Sequence, residues 1–424
     1  MIGTEKKFTD EGYQITELGE IPSEWKVEIL GNFIKIRSGA APSKIKELKE
    51  FGKYPFYKVN DLNYTDKYLS KAIYNFDDLT FKKIKKNSIV FPKRGASIFT
   101  NKIAIISKSG YMDTNLMALE ILDCSIINHE FLYYLLSFRG LVEFADTSSV
   151  PQINNKHIEP IKLAVPPLEE QLKIADIIST VDEQIENTEQ LTRKIKELKK
   201  GLVQRLLTKG IDHIDFKQTK FGQIPIDWDV TTIGSIADVK SGLTPLRAKQ
   251  ELYYDNGTIP WVKTMDLNNK EVTVTTECVT KLALEETSLT LLPENIVLVA
   301  MYGGFNQIGR TGLLKVPGAT NQAISALLPK REYLAEYLQI WLNANVKEWK
   351  KYAASSRKDP NITKSDVLNF NVLLPPLKEQ QKIVEILSSV EKQIENYEQE
   401  KQKYIELKKG LMQQLLTGKL RVTV

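Results

Sequence analysis

The chain reads as an α+β protein. Two mixed α/β domains are separated by two long helices that form an antiparallel coiled coil, all within an internal pseudo-two-fold repeat. Three observations predict this. Val165-Pro-Pro-Leu-Glu-Glu-Gln171 returns as Leu374-Pro-Pro-Leu-Lys-Glu-Gln380. Lys199-Lys-Gly-Leu-Val-Gln-Arg-Leu-Leu-Thr208 returns as Lys408-Lys-Gly-Leu-Met-Gln-Gln-Leu-Leu-Thr417, at the same offset of 209 residues. Each repeated stretch also carries a heptad-like apolar seam.

The first variable domain covers residues 1–165. Its short β-like runs include Ser88–Phe91 and Lys102–Ile106, and Glu130–Leu136 reads as helix. The first long helix falls in 166–209. Pro166-Pro167 fixes its start, because proline is tolerated in a first helical turn and not in the interior. Its seam runs Ile174, Ile178, Val181, Ile185, weakens at Thr188 and Thr192, and resumes at Ile195, Leu198, Leu202 and Leu206. Gly210 reads as its stop.

The second variable domain covers 210–374, with β-like runs at Ile296–Ala300 and Arg310–Val316 and a helix-like run at Tyr333–Leu342. The second long helix falls in 375–424 and begins at Pro375-Pro376. Its seam is Ile383, Leu387, Val390, Ile394, then Tyr404, Leu407, Leu411 and Leu415, and Gly418 reads as its stop. A helix of roughly 40 residues spans about 60 Å and needs a partner along its seam. The other copy supplies one. Gly201 and Gly410 interrupt otherwise helical sequence at equivalent sites. Close backbone approach and a frayed helix end both account for them.

The repeat continues through the domains with drifting offsets, so insertions separate its parts. Leu18-Gly-Glu-Ile-Pro-Ser-Glu-Trp25 matches Phe221-Gly-Gln-Ile-Pro-Ile-Asp-Trp228, and Ser38-Gly39 matches Ser241-Gly242. Tyr54–Asn63 matches Ile259–Asn268, which makes Lys58 and Lys263 equivalent and places Asp61 and Asp266 as anchors of one repeated turn.

Composition sets wide bounds. The 58 basic and 53 acidic side chains leave a net charge of +5, so any nucleic-acid contact depends on local patches or on partner subunits. No apolar run reaches the roughly 20 residues of a membrane helix. Two cysteines without a motif fit a reducing, cytoplasmic setting. Catalytic motifs are missing from the sequence. His129, His157 and His213 have no second ligand at metal spacing, and no phosphate loop or methyl-transfer signature occurs. Tyr302-Gly-Gly-Phe305 with Gly309 reads as a turn between strands. The chain therefore reads as a binding or scaffold subunit with no catalytic or metal site.

Two variable domains, each followed by PPLEEQ (166–171) or PPLKEQ (375–380) and a long helix ending in the Lys-Lys-Gly-Leu run, together with IPxxW at 21–25 and 224–228, resemble the specificity subunit of a type I restriction–modification system. The resemblance covers essentially the whole chain. It implies that each variable domain is a target-recognition domain reading one half of a bipartite double-stranded DNA sequence. It also implies that the paired helices set the spacer and dock two modification subunits. S-adenosylmethionine, ATP and magnesium would then belong to the modification and restriction subunits and none to this chain. A separate recognition subunit for a fused nuclease–methyltransferase shares the architecture. A coiled-coil scaffold joining two protein-binding domains, without DNA, is the alternative of another class. Divergence of the domains between well-preserved helices favours two different DNA half-sites.

Base edges call for Arg, Lys, Asn or Gln on loops beside strands, and phosphates for Lys, Arg or hydroxyls. The first domain offers Lys58, Lys93, Arg94, Asn101, Lys102 and Asn115. The second offers Lys263, Asn306, Gln307, Arg310, Asn321, Gln322, Arg357 and Lys358. Lys82, Lys83, Lys85 and Lys86 read as a solvated helix face, with a phosphate patch as the other option.

Overall fold

The computed structural model describes residues 12–39, 48–64, 67–77, 82–304, 306–353 and 361–423. Arg357 and Lys358 lie outside the described residues. The chain forms two compact units, residues 1–189 with 398–424, and residues 190–397.

In the first unit a five-stranded sheet is built from β1 (Ile34–Ser38), β2 (Tyr68–Leu69), β3 (Ile89–Pro92), β4 (Ala104–Ile106) and β5 (Leu116–Ile121), in the order β1-β5-β3-β4-β2. Only the β2–β4 pairing is parallel. Every residue of β3 is buried, because both sheet faces are covered. Ile89, Phe91, Met117 and Leu119 join a core with Phe131 and Leu135 of the helix His129–Arg139. The alternate residues Val90, Ala104, Leu116 and Ala118 join a second core with Tyr57 and Leu62. Beside it stands a three-stranded sheet, Tyr54–Tyr57 between Tyr111–Met112 and Tyr74–Phe76.

The second unit has the same topology despite its different sequence. Its strands β6 (Ala237–Ser241), β7 (Glu271–Val272), β8 (Ile296–Ala300), β9 (Thr311–Leu314) and β10 (Ile324–Pro329) run in the order β6-β10-β8-β9-β7, again with one parallel pair, β7–β9. Its three-stranded sheet places Ile259–Val262 between Ala319–Thr320 and Cys278–Val279. The helix Ala335–Ala344 takes the place of His129–Arg139. The lysine run at 82–86 is not helical: Ile84 forms an isolated bridge to Gly110.

The long helices are Leu168–Lys209 and Leu377–Leu415. In the first unit Asp182 pairs with Lys408 at 2.6 Å and Glu189 with Lys401 at 3.0 Å. In the second, Lys199 pairs with Glu391, and Glu379 accepts from the Ile211 amide at 2.9 Å. Each advance along one helix is matched by an equal retreat along the other, so the pairing is antiparallel. The Asp182–Lys408 and Glu391–Lys199 bridges are copies of one another at the repeat offset.

Ile174, Ile178, Val181, Leu206, Ile383, Leu387, Val390, Ile394 and Leu415 are buried, and Ile185, Ile195, Leu202, Tyr404 and Leu411 are half-buried. Thr188 and Thr192 are buried too, so the weak stretch of the seam is packed by smaller side chains, the Thr188 hydroxyl donating to the Gln184 carbonyl. Leu198 and Leu407 face solvent at 56% and 49% exposure, contrary to the apolar pattern. Lys199 and Lys408 hold the seam-facing positions beside them, where each reaches an acid of the opposite helix. Gly201 and Gly410 are also corrected: an added Cβ at either would meet nothing within 4 Å, so close approach within this chain does not explain them. Gly210 and Gly418 are left-handed (φ +66° and +73°) and a Cβ there would collide with Glu379 and with Pro22.

The repeated motifs interlock. Trp25 Nε1 donates to Glu170 at 3.0 Å, and Trp228 Nε1 to Glu379 at 2.9 Å. Both indoles are buried, so the acid of each PPLxEQ supplies the single partner an indole N–H needs. The glutamine of each motif turns back on its own helix start: Gln171 donates to the Pro166 carbonyl and Gln380 to the Pro375 carbonyl. The side-chain oxygens accept from the Asn128 and Leu334 amides, the N-cap residues of the domain helices. Each PPLxEQ is thus a clasp between a long helix and its domain. A basic side chain closes each clasp. Arg421 binds Glu24 at 2.6 Å and Glu170 at 2.7 Å. His213 lies 2.8 Å from Glu379 and 3.6 Å from Asp227. Sequence spacing hid that His213 cluster, whose three side chains are of metal-ligating type. The two ring nitrogens of His213 face different carboxylates, and Glu379 also accepts from Trp228 and Ile211, so the arrangement is that of the clasp.

Candidate nucleic-acid interface

One end of each five-stranded sheet gathers most of the polar candidates. In the first unit the end of β1, the start of β5 and the end of β3 coincide, since Ser38 pairs with Met117 and Pro92 with Leu116. The repeated Ser-Gly has its reason here. A Cβ on Gly39 would lie 1.9 Å from the Asp113 carbonyl oxygen, and one on Gly242 would lie 1.9 Å from that of Thr320. Only glycine lets the chain leave the first strand so close to its neighbour.

Lys93 follows β3 and donates its amide to the Asn115 carbonyl at 2.8 Å. Its ammonium lies 3.4 Å from the Ser38 hydroxyl. Burial, with Arg94 beside it, lowers the affinity of Lys93 for its proton. Arg94 is exposed. Asn115 is exposed, with its amide on the Asp113 carboxylate at 2.7 Å. Burial raises the pKa of Asp113. Lys58 joins this end because the Asp113 amide donates to the Tyr57 carbonyl at 3.0 Å. The repeated aspartates anchor their turns: Asp61 accepts from the Lys58 amide at 2.7 Å and Asp266 from that of Lys263 at 2.8 Å.

Asn101 is engaged otherwise. It is left-handed at φ +50°, and its side chain donates to the Ser137 carbonyl and accepts from the Leu141 amide, both within the fold. Lys102 is held by the side-chain oxygen of Asn63.

The second unit repeats this end. The Leu243 amide donates to the Thr320 carbonyl, the Asn321 amide to Val262 and the Met301 amide to Ala323. Thr244 donates its hydroxyl to Gln322, and the Asn321 side chain accepts from the Ala323 amide at 3.1 Å. The β8–β9 turn carries Asn306, exposed, Gln307, whose amide reaches the Met265 sulfur at 3.3 Å, and Arg310, whose Nε donates to the Asn306 carbonyl at 3.1 Å. Lys263 pairs with Glu277 at 2.6 Å.

Sequence reasoning missed three features of these ends. Arg247 binds Glu277 through both terminal nitrogens at 2.8 Å and lies over the Tyr254 ring at 4.1 Å. Glu277, held by Arg247 and then Lys263, has its pKa lowered to about 2 and is ionised throughout the neutral range. Phe99 and Met265 expose 58% and 64% of their surface, apolar contacts of the sort a thymine methyl offers.

A family model of the type I restriction modification DNA specificity domain matches this chain twice, at residues 22–197 and 225–407. The chain belongs to that family. It is 28% identical over 431 residues to the specificity subunit of the type I restriction enzyme MjaVIII of Methanocaldococcus jannaschii, covering 98% of this chain and 97% of the relative. The MjaIX specificity subunit of the same organism is 26% identical over 432 residues, covering 97% and 96%. Two solved structures share the fold at 16% identity. A chain from work on complex assembly and conformational transition of the type I R-M system has a TM-score of 0.60, covering 94% of this chain and 99% of that one. The type I restriction-modification S subunit from M. genitalium has a TM-score of 0.55, covering 92% and 96%.

Proposed function

We propose that this chain is the specificity subunit of a type I restriction–modification assembly and recognises a bipartite DNA sequence. The observation that carries the reading is the pair of domains with one topology and different side chains at the same sheet end. Equal scaffolds with unequal readers suit two different half-sites. Arg94, Lys93, Asn115 and Lys58 offer donors and acceptors to base edges and phosphates in the first half, and Arg310, Asn306, Gln322 and Arg247 do so in the second. The modest net charge of +5 fits a subunit that shares the phosphate contacts with partners.

The reading extends to the partners. Two modification subunits dock on the paired helices, one per repeat, and carry S-adenosylmethionine. Restriction subunits join them with ATP and magnesium, and this chain contributes recognition without catalysis. The exposed Leu198, Leu407, Gly201 and Gly410 recur at equivalent places on the two helices, as docking of two identical partners requires.

Arg94→Ala and Arg310→Ala test the site in the assembled complex. Each is expected to weaken binding of the specific duplex by about 1–3 kcal/mol and to relax preference at one base pair. A phosphate contact would instead weaken all duplexes alike and reduce the salt slope by about one. Unchanged binding in both variants would move the interface away from these sheet ends.

A further inference from the structure

The two domains treat one repeated lysine in different ways. Lys58 and Lys263 follow equivalent strands, and each amide caps the aspartate three residues on. The residue facing each lysine is also equivalent. Pro55 pairs with Asn75 and Phe56 with Tyr74 in the first domain. Pro260 pairs with Cys278 in the second, and the Trp261 amide donates to the Glu277 carbonyl at 3.1 Å. Tyr74 and Glu277 therefore occupy the same place. In the first domain the Lys58 ammonium stacks on the Tyr74 ring at 4.0 Å, and no carboxylate lies within ion-pair distance among the described residues. In the second the Lys263 ammonium is bound to Glu277 at 2.6 Å, and Glu277 also holds Arg247.

We propose that Glu277 is a specificity-determining positioning residue of the second domain, fixing Arg247 and Lys263 as one rigid donor group aimed at a guanine edge. The inference rests on the DNA-recognition reading and names the group that reads within it. Glu277 engages the two terminal nitrogens of Arg247, which leaves the Nε edge of the guanidinium for a second acceptor. Its plane is held over Tyr254 at 4.1 Å and Trp261 at 5.3 Å. A planar donor pair fixed in this way matches the two acceptors that guanine presents in the major groove. A carboxylate beside phosphates lowers affinity for every sequence, so its presence is accounted for by what it orients. The first domain, with tyrosine in that place, sets the Lys58 ammonium on an aromatic face, suited to a phosphate.

The test is a methylated-motif map from cells carrying the modification subunits with the native chain, Glu277→Gln or Glu277→Tyr. Both variants are expected to keep the first half-site and to lose discrimination at one guanine of the second by about tenfold. An unaltered motif in both variants, or equal weakening of both half-sites as a merely structural role would give, overturns the inference. A native chain that directs no bipartite methylation would instead overturn the DNA-recognition reading itself, which keeps the two failures distinct.

Discussion

Four residues added to each long helix are expected to lengthen the unread spacer of the DNA target by one or two base pairs without changing either half-site. The ion pairs Asp182–Lys408 and Glu189–Lys401 of the first unit fix where the additions belong. An insertion between Ile185 and Glu186 is opposite one between Tyr404 and Ile405, so both of these pairings keep their register. Four residues extend a helix by about 6 Å and turn it about 40° beyond a full turn. B-DNA advances about 3.4 Å and roughly 34° per base pair, so rise and rotation call for a similar change of spacer. The helix end near Thr208–Gly210 is a poor place for an insertion. Ile211 and His213 are bound there to Glu379, and a Cβ on Gly210 already collides. Methylation mapping of the doubly extended chain reads the result. Retention of the native spacer by an active variant would show that the helices do not measure the target.

Gln171→Leu is expected to destabilise the first unit by about 3–5 kcal/mol. Gln171 is fully buried and holds three backbone groups: the Asn128 amide, the Ile126 carbonyl and the Pro166 carbonyl. Leucine fills a similar volume and leaves all three without a partner, at about 1–3 kcal/mol for each buried group. The loss also frees the N-cap residue of the helix that covers the sheet. Gln380→Leu orphans two groups, the Leu334 amide and the Pro375 carbonyl, so its cost is about 2–4 kcal/mol. Urea unfolding of the purified chain measures both. A loss under about 1 kcal/mol for Gln171→Leu would show that water or a rearranged backbone takes over the clasp.

That clasp also shows what was legible in the sequence. The repetition of PPLxEQ and IPxxW is plain, and the prolines mark the helix starts. Why Glu170 must be acidic and Gln171 an amide is not legible. Their partners, Trp25 and Asn128, lie 145 and 43 residues away and meet them only in the fold. The strands β3 and β8 are readable as apolar runs, whereas their neighbours in the sheet follow from long-range pairing that local pattern does not carry. The seam is readable where it is apolar. It misleads at Leu198 and Leu407, because a lysine with an acid opposite it takes the inward place that hydrophobicity assigns to leucine.

The candidate interface was legible in part. Loops after β3 and β8 were found from their basic and amide residues, and the fold brings them to equivalent sheet ends. Asn101 had the right chemistry but serves the backbone of a neighbouring helix end. Arg247 and Glu277 stand 30 residues apart and acquire meaning only when the three-stranded sheet sets Glu277 beside Lys263. A single sequence shows which residue types are present. It does not show which of them the fold leaves free to meet a base.

The most direct test of the central claim is single-molecule mapping of methylated adenines in cells carrying this chain with its modification subunits, before and after residues 1–165 are exchanged for those of a relative. The account predicts a bipartite motif with a fixed unread spacer, and an exchange that rewrites one half-site and leaves the other and the spacer intact. A contiguous motif, or an exchange that alters both half-sites together, would contradict it.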